Sequence, residues 1–365
     1  MTLDDLRTPC LVLDRTILRR NIATMAAALG RHRVPLRPHM KTAKSIDVAK
    51  LALEGQSGGI TVSTLAEAEY FAAHGVADIL YAVGITPQKL DAVARLNAGG
   101  THIAVITDDL DTAMAIAAHP VPPRTLIEID TGEARGGLAP DDDRLTGIAT
   151  RLGQHLAGVM THAGHSYAGR THDDMRRIAE AERAGVVRAA ERLRAGGHTV
   201  PIVSMGSSPT ALHAGSFKGI TEVRAGVYMF GDLFQAEIGT HGIDDIAVTV
   251  LASVIGRRPG ALLVDAGGLA LSKDRSTEAA PKDYGFGLVL DRSGRRSYGD
   301  AIVRRAYQEH GLITSDPVHP IELSVGAKLR IAPNHTCMTA AAHDRYHVVD
   351  GTEQVVAVWP RINGW

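Results

Sequence analysis

Three stretches of this 365-residue chain carry side chains suited to covalent or Lewis-acid chemistry. The first is RPHMKTAKS, residues 37–45, where Lys41 and Lys44 closely follow a β-rich run. Lysine is scarce here, eight residues against thirty-one arginines, so two within four positions call for a reason. Both could be solvated charges flanking a helix start, although the helix macrodipole disfavours cations at an N-terminus. A lysine amine can instead bond covalently to an aldehyde. The second stretch is GSSPT, with Gly206, Ser207 and Ser208, followed further on by AGVY with Gly226 and Tyr228. Its glycines permit close backbone approach, its serines offer hydroxyls and its proline suits a helix start, the make-up of a phosphate loop. Two ordinary turns are the competing reading. The third is APNHTC, residues 332–337. If that segment is extended, His335 and Cys337 point to the same side. Imidazole and thiolate together suit zinc or another borderline-soft divalent ion, and two ligands leave positions open for water or substrate. The same H-x-C spacing also arises with no metal at all.

These residues need a frame to bring them together. From about residue 30 to 230, short β-rich runs alternate with amphipathic stretches. The runs are 34–39, 58–62, 78–83, 102–107, 125–130, 156–162, 201–206 and 221–226. Helical patterns lie between most of them, at 45–55, 64–75, 87–100 and 173–197, and Thr64 with Glu67 forms a capping-box pair. Eight such units predict a (β/α)8 barrel with its chemistry at the C-terminal ends of the strands. A doubly wound sheet is the alternative, but no GxGxxG follows the first strand. Lys41 then sits just past strand one, GSSPT past strand seven and AGVY past strand eight. A lysine facing a phosphate site across a barrel mouth points to a Schiff-base lysine holding pyridoxal phosphate. After about residue 240 the pattern turns β-rich, with one helical stretch expected at 298–311. The chain thus reads as a barrel over 20–240 and a mostly β domain built from 1–19 and 241–365. PCLVLD, residues 9–14, is a strand expected to join the second domain.

Composition narrows the partners. A net charge of −1, with 45% hydrophobic and 22% charged residues, gives no basic footprint for nucleic acid. No apolar run is long enough to span a bilayer, and the first ten residues lack a signal core. A cytoplasmic protein with two free thiols, Cys10 and Cys337, and no membrane partner is expected.

PHMKTAK resembles the PHxKTHK motif of the fold-type III pyridoxal-phosphate enzymes of the D-serine dehydratase and D-threonine aldolase group. VSTLAEAEYF, DILYAVGITPQKL, GHSY, EVRAGVYMFGD, DAGGLALSKD, PNHTCMTA and WPRINGW extend the likeness over nearly the whole chain. STLAEAEYF, ILYAV and PNHTC look nearest the eukaryotic-type D-serine dehydratase branch. The resemblance implies an alanine-racemase-like barrel with a β domain, and a homodimer. It implies Lys41 as the Schiff-base lysine and Arg135 beside the cofactor's phenolic oxygen. Tyr167 would lie near the pyridine ring. Gly206, Ser207, Ser208, Gly226 and Tyr228 would form the phosphate cradle. His335 and Cys337 would be metal ligands, for zinc first, with manganese or cobalt as alternatives. The activity implied is loss of water from a D-3-hydroxy amino acid, giving a 2-oxo acid and ammonia. The same residues would serve a D-threonine or D-3-hydroxyaspartate aldolase. A racemase or a non-catalytic pyridoxal-phosphate carrier are readings from other classes. One departure stands out, since Ala43 replaces the motif's second histidine.

Overall fold

The computed structural model describes residues 1–56, 59–314 and 321–365. The chain forms two compact units, Thr24–Gly226 with Ile362–Trp365, and Met1–Ala23 with Val227–Arg361. Strand β1, Cys10–Asp14, belongs to the latter.

The first of these units is the expected barrel. Its strands are β2 (Leu36–Pro38), β3 (Ile60–Val62), β4 (Asp78–Gly84), β5 (His102–Thr107), β6 (Arg124–Ile129), β7 (Leu156–Thr161), β8 (Ile202–Met205) and β9 (Glu222–Ala225). They form one eight-stranded sheet in the order β2-β9-β8-β7-β6-β5-β4-β3, and every ladder is parallel. All eight runs read from the sequence are present; Gly58, at the start of the second, lies outside the described residues. Parallel strands buried on both faces need continuous apolar runs, and β7 is buried at every position. A cluster of Leu80, Ile106, Leu126, Ala157 and Met160 packs within this unit.

Helix starts follow capping chemistry. Thr64 accepts a hydrogen bond from the Glu67 N–H ahead of helix Leu65–Ala73, and Thr171 accepts from Asp174 ahead of helix His172–Ala195. Each is a side-chain acceptor for an amide that the helix cannot satisfy itself.

Closure of the barrel is uneven. Where β2 meets β3, the described residues show a single bridge, His39 to Thr61, in place of a ladder. The Met40 N–H donates to the Thr61 carbonyl at 2.8 Å, and Arg37 Nη1 to the Ile60 carbonyl at 3.3 Å. By contrast β2 pairs with β9 along its full three residues.

The other unit is a nine-stranded sheet, completed by β10 (Val248–Arg258), β11 (Ala261–Val264), β12 (Leu288–Leu290), β13 (Ile302–Ala306), β14 (Gly311–Thr314), β15 (Lys328–Ala332), β16 (Arg345–Val349) and β17 (Val355–Pro360). As expected, the N-terminal strand joins it: β1 lies antiparallel to β10 and parallel to β16. The helix expected at 298–311 is absent. That segment forms β13 and the turn into β14. A bulge between Val303 and Arg305 shifts the register, so buried Val303 and Ala306 fall three apart. That spacing imitates a helical face, and the bulge is what broke the two-residue period.

Candidate functional site

The barrel mouth is assembled from loops that follow strands. After β2 the chain turns tightly: the Lys44 N–H donates to the Met40 carbonyl at 2.7 Å. Within that turn Met40, Thr42 and Ala43 are fully buried, whereas Lys41 is exposed. Its ammonium makes no hydrogen bond or ion pair among the described residues, and its amide lies 3.4 Å from His39 Nδ1. Lys44 behaves oppositely. It is held in the left-handed region at φ 48°, and its Nζ pairs with buried Glu67 at 3.2 Å.

Two histidines flank the lysine. Burial pushes the His39 imidazole well below its usual value, and the charges of Lys41 and Arg224 push the same way. Burial, again with Lys41 close by, lowers His162 to about 3. His162 is therefore neutral. Its Nδ1–H donates to the Gly206 carbonyl at 2.9 Å, which leaves Nε2 as an acceptor.

Arg135 lies in the loop after β6, exposed, with Nη1 3.2 Å from Glu133 Oε1. That loop is built on Asp130, whose Oδ1 accepts the N–H groups of Gly132, Glu133 and Ala134. Beneath it Glu128 has its carboxyl raised by burial, offset by the charge of Arg135. Tyr167, half-buried, lies in the one-turn helix Gly164–Ala168 after β7.

Gly206, Ser207 and Ser208 follow β8 and are buried. Gly206 has φ 137°, and a Cβ there would stand 2.2 Å from the Arg224 carbonyl oxygen, so only glycine fits. The loop is braced from behind. The Gly206 N–H donates to Glu182 Oε1 at 2.9 Å, and the Ser207 N–H to Thr210 Oγ1 at 3.1 Å. Glu182 Oε1 also accepts the Ala163 N–H, tying this loop to the one after β7. Burial raises the Glu182 carboxyl to about 7. Gly226 closes β9, where a Cβ would lie 2.8 Å from the His39 carbonyl oxygen. Arg224, buried, donates to Ser204 Oγ and the Thr161 carbonyl.

Lys41, Arg135, Tyr167, Gly206, Ser207, Ser208 and Gly226 thus all belong to the barrel unit, at the C-terminal ends of its strands. Tyr228, His335 and Cys337 belong to the other unit. Tyr228 is fully buried there, which pushes its phenol well up.

The histidine–cysteine pair meets by a different route from the extended segment that the sequence suggested. His335 is extended, but it is the N-cap of helix Thr336–Ala340, and Cys337 lies in the first turn. His335 Nδ1 donates to Asp274 Oδ2 at 3.0 Å, which fixes the orientation of the imidazole beside Cys337. Burial opposes a charge on His335, yet hydrogen bonds to Asp274 and Cys337 and the charge of Asp232 hold it up to about 11. Among the described residues no group of three His, Cys, Asp or Glu forms a closed metal site. The two cysteines form no disulfide.

Sequence reading passed over His162, Arg224, Glu182 and Asp274. His162 ends a strand run as a histidine in THAGH, and that was the available signal. Arg224 sits inside an apolar strand, and Glu182 in an Arg/Glu-laced helix that reads as solvated surface.

The residues fit a phosphorylated aldehyde. An unpaired amine stands among neutral imidazoles and arginines, beside glycines whose missing Cβ atoms leave room only for backbone. Residues 13–233 match the alanine racemase N-terminal domain, and residues 247–349 match a serine dehydratase domain. The chain is similar to the D-threo-3-hydroxyaspartate dehydratase of Delftia sp. strain HT23, at 43% identity over 100% of this chain and 99% of that protein. It is 32% identical to a D-serine dehydratase of Dictyostelium discoideum, covering 97% and 96% of the two. A 3-hydroxy-D-aspartate aldolase of Paracoccus denitrificans matches at 29%, over 98% and 92%. The solved Delftia structure superposes with a TM-score of 0.94 over all of both chains, at 42% identity. This chain belongs to the fold-type III group of pyridoxal-phosphate enzymes that joins an alanine racemase N-terminal domain to a serine dehydratase domain.

Proposed function

We propose that this protein is a pyridoxal-phosphate- and divalent-metal-dependent lyase that removes water from a D-3-hydroxy amino acid, giving a 2-oxo acid and ammonia. The observation that carries this reading is Lys41, the exposed amine of an otherwise buried turn at the end of β2. Lys41 would hold the cofactor aldehyde through its Nζ, and the same amine would stand where it could take the Cα proton. Bound pyridoxal phosphate supplies an electron sink for that deprotonation. Gly206, Ser207, Ser208, Gly226 and Tyr228 hold the phosphate, Arg135 the phenolic oxygen, and Tyr167 the ring. His162, kept neutral, accepts at Nε2 without adding charge beside Lys41. His335 and Cys337 hold the metal, with Asp274 orienting the imidazole. A metal held there would supply Lewis acidity for the departure of a β-hydroxyl. Zinc suits the imidazole–thiolate pair first, then manganese or cobalt. A solved form of the Delftia dehydratase with a cysteine replaced by alanine is described as metal-free, which supports a thiolate ligand. In balance, the Cα–H and Cβ–O bonds break as Cα=Cβ forms and one water leaves; the released enamine takes a proton at Cβ, and one water hydrolyses the resulting imine to the 2-oxo acid and ammonia.

The barrel expected over 20–240 is narrower as a compact unit, Thr24–Gly226 with Ile362–Trp365, and we further propose that the protein works as a cytoplasmic homodimer. Among the described residues no helix is long and apolar enough to cross a membrane. The second reading is an aldolase, favoured by the Paracoccus relative and by a lysine and metal pair that would serve either reaction. Incubation with D-serine, D-threonine and D-threo-3-hydroxyaspartate separates the two. A 2-oxo acid with ammonia is the expected product. Glycine with an aldehyde would replace this reading by the aldolase.

A further inference from the structure

The turn that carries Lys41 sits on the weakest join of the barrel. Neighbouring strands elsewhere in the sheet share ladders, whereas β2 and β3 share one bridge, His39 to Thr61. Across the β2–β3 join itself, backbone pairing is confined to this bridge. Directly above the bridge, side chains take over. Lys44 Nζ lies 3.2 Å from Glu67 Oε1, and the Glu67 side chain is only 1% exposed. Glu67 in turn accepts the Ser63 N–H and the Thr64 hydroxyl, so it is locked to the loop that follows β3. The same Lys44 donates its N–H to Met40, and its carbonyl accepts the Ile362 N–H at 2.8 Å. It does this at φ 48°, a left-handed conformation that a non-glycine residue keeps only when its surroundings enforce it.

We infer that Lys44 is a positioning residue: its buried ion pair with Glu67 latches the join between β2 and β3 and holds the Lys41 amine at the barrel mouth. The inference rests on the reading of Lys41 as the cofactor lysine. It also separates the two lysines of the turn, one kept open and the other consumed by structure. A helix start rich in cations then needs no other explanation, because Lys44 neutralises a carboxylate of the next loop.

The test uses the full-length protein with Lys44→Met, Lys44→Arg and the double variant Lys44→Met/Glu67→Gln. Lys44→Met strands a buried charge, so a fall in thermal midpoint alone proves little; the double variant removes that charge. The readouts are the pyridoxal phosphate dissociation constant, by titration of visible absorbance, and amide hydrogen exchange of residues 39–45 in the cofactor-free protein. In the double variant the thermal midpoint should recover, while cofactor affinity stays weaker by about tenfold because the amine is misplaced. Exchange across 39–45 should stay fast. Lys44→Arg, which can still reach Glu67, should bind within about twofold of the unsubstituted protein. The inference is overturned if the double variant matches the unsubstituted protein in affinity and exchange, or if Lys44→Arg binds as weakly as Lys44→Met. Lys41→Ala separates the two levels. A visible band that survives it removes Lys41 as the cofactor lysine, whereas exchange in the cofactor-free Lys44 variants still judges the latch.

Discussion

At the residue scale, the mouth of the barrel depends on bases kept neutral. His162 is lowered to about 3 from an ordinary 6.5. Between those values the unfolded chain binds a proton that the folded chain refuses, so stability falls as pH drops through that window. His39 contributes with the same sign. Replacing His162 by asparagine should flatten the acid limb by on the order of a few kcal/mol between pH 7 and 4, read from urea midpoints. Lys41→Ala should abolish the visible cofactor band outright. The placement of Lys41 just past a strand end, and of His335 close to Cys337, was legible in the sequence from a scarce residue type and a short spacing. Arg224 and Glu182 were not. Their meaning comes from burial, and nothing in a strand arginine or a helix glutamate announces that no water reaches it.

At the scale of elements, Glu182 joins the loops after β7 and β8 through a single oxygen. Its carboxyl is raised to about 7 from 4.5, so the folded chain keeps a proton that the unfolded chain releases, and stability is lost as pH rises through that range. Glu182→Gln keeps the acceptor without the charge and should raise the thermal midpoint at pH 8 with little change at pH 5. Glu182→Leu strands two buried amides and should cost about 1–3 kcal/mol for each. Gly206→Ala would drive a methyl group into the Arg224 backbone, and should cost both stability and cofactor affinity. Element type was legible in all eight barrel strands, which stand as short β-rich runs between helical patterns. It failed at 298–311, where a bulge placed Val303 and Ala306 at helical spacing. The H-x-C pair was found for a reason the fold does not use, since a helix cap and not an extended segment joins its two side chains.

At the scale of the whole molecule, the proposed cofactor lysine and the proposed metal pair belong to different units of one chain. Chelation should therefore abolish turnover while the visible band persists, and adding back zinc should restore turnover. If the protein is the homodimer proposed, sedimentation at micromolar concentration should give twice the chain mass. The alternation of strands and helices made the two-part plan readable, and the N-terminal strand could be assigned to the second sheet because it lay outside the barrel count. The pairing order follows from the barrel, but the thinness of its β2–β3 join was not readable, and it has a consequence for how the protein is made. The ladder that secures β2 is with β9, so Leu36 waits for Val223, nearly two hundred positions later in synthesis. Its sequence neighbour β3 can offer it one bridge in the meantime. The ring is completed by its first and last strands, and Lys41, the proposed cofactor lysine, stands beside that late closure. Capture of pyridoxal phosphate then reports a finished barrel, and in refolding the visible band should appear only with the slow, long-range step, never with early collapse.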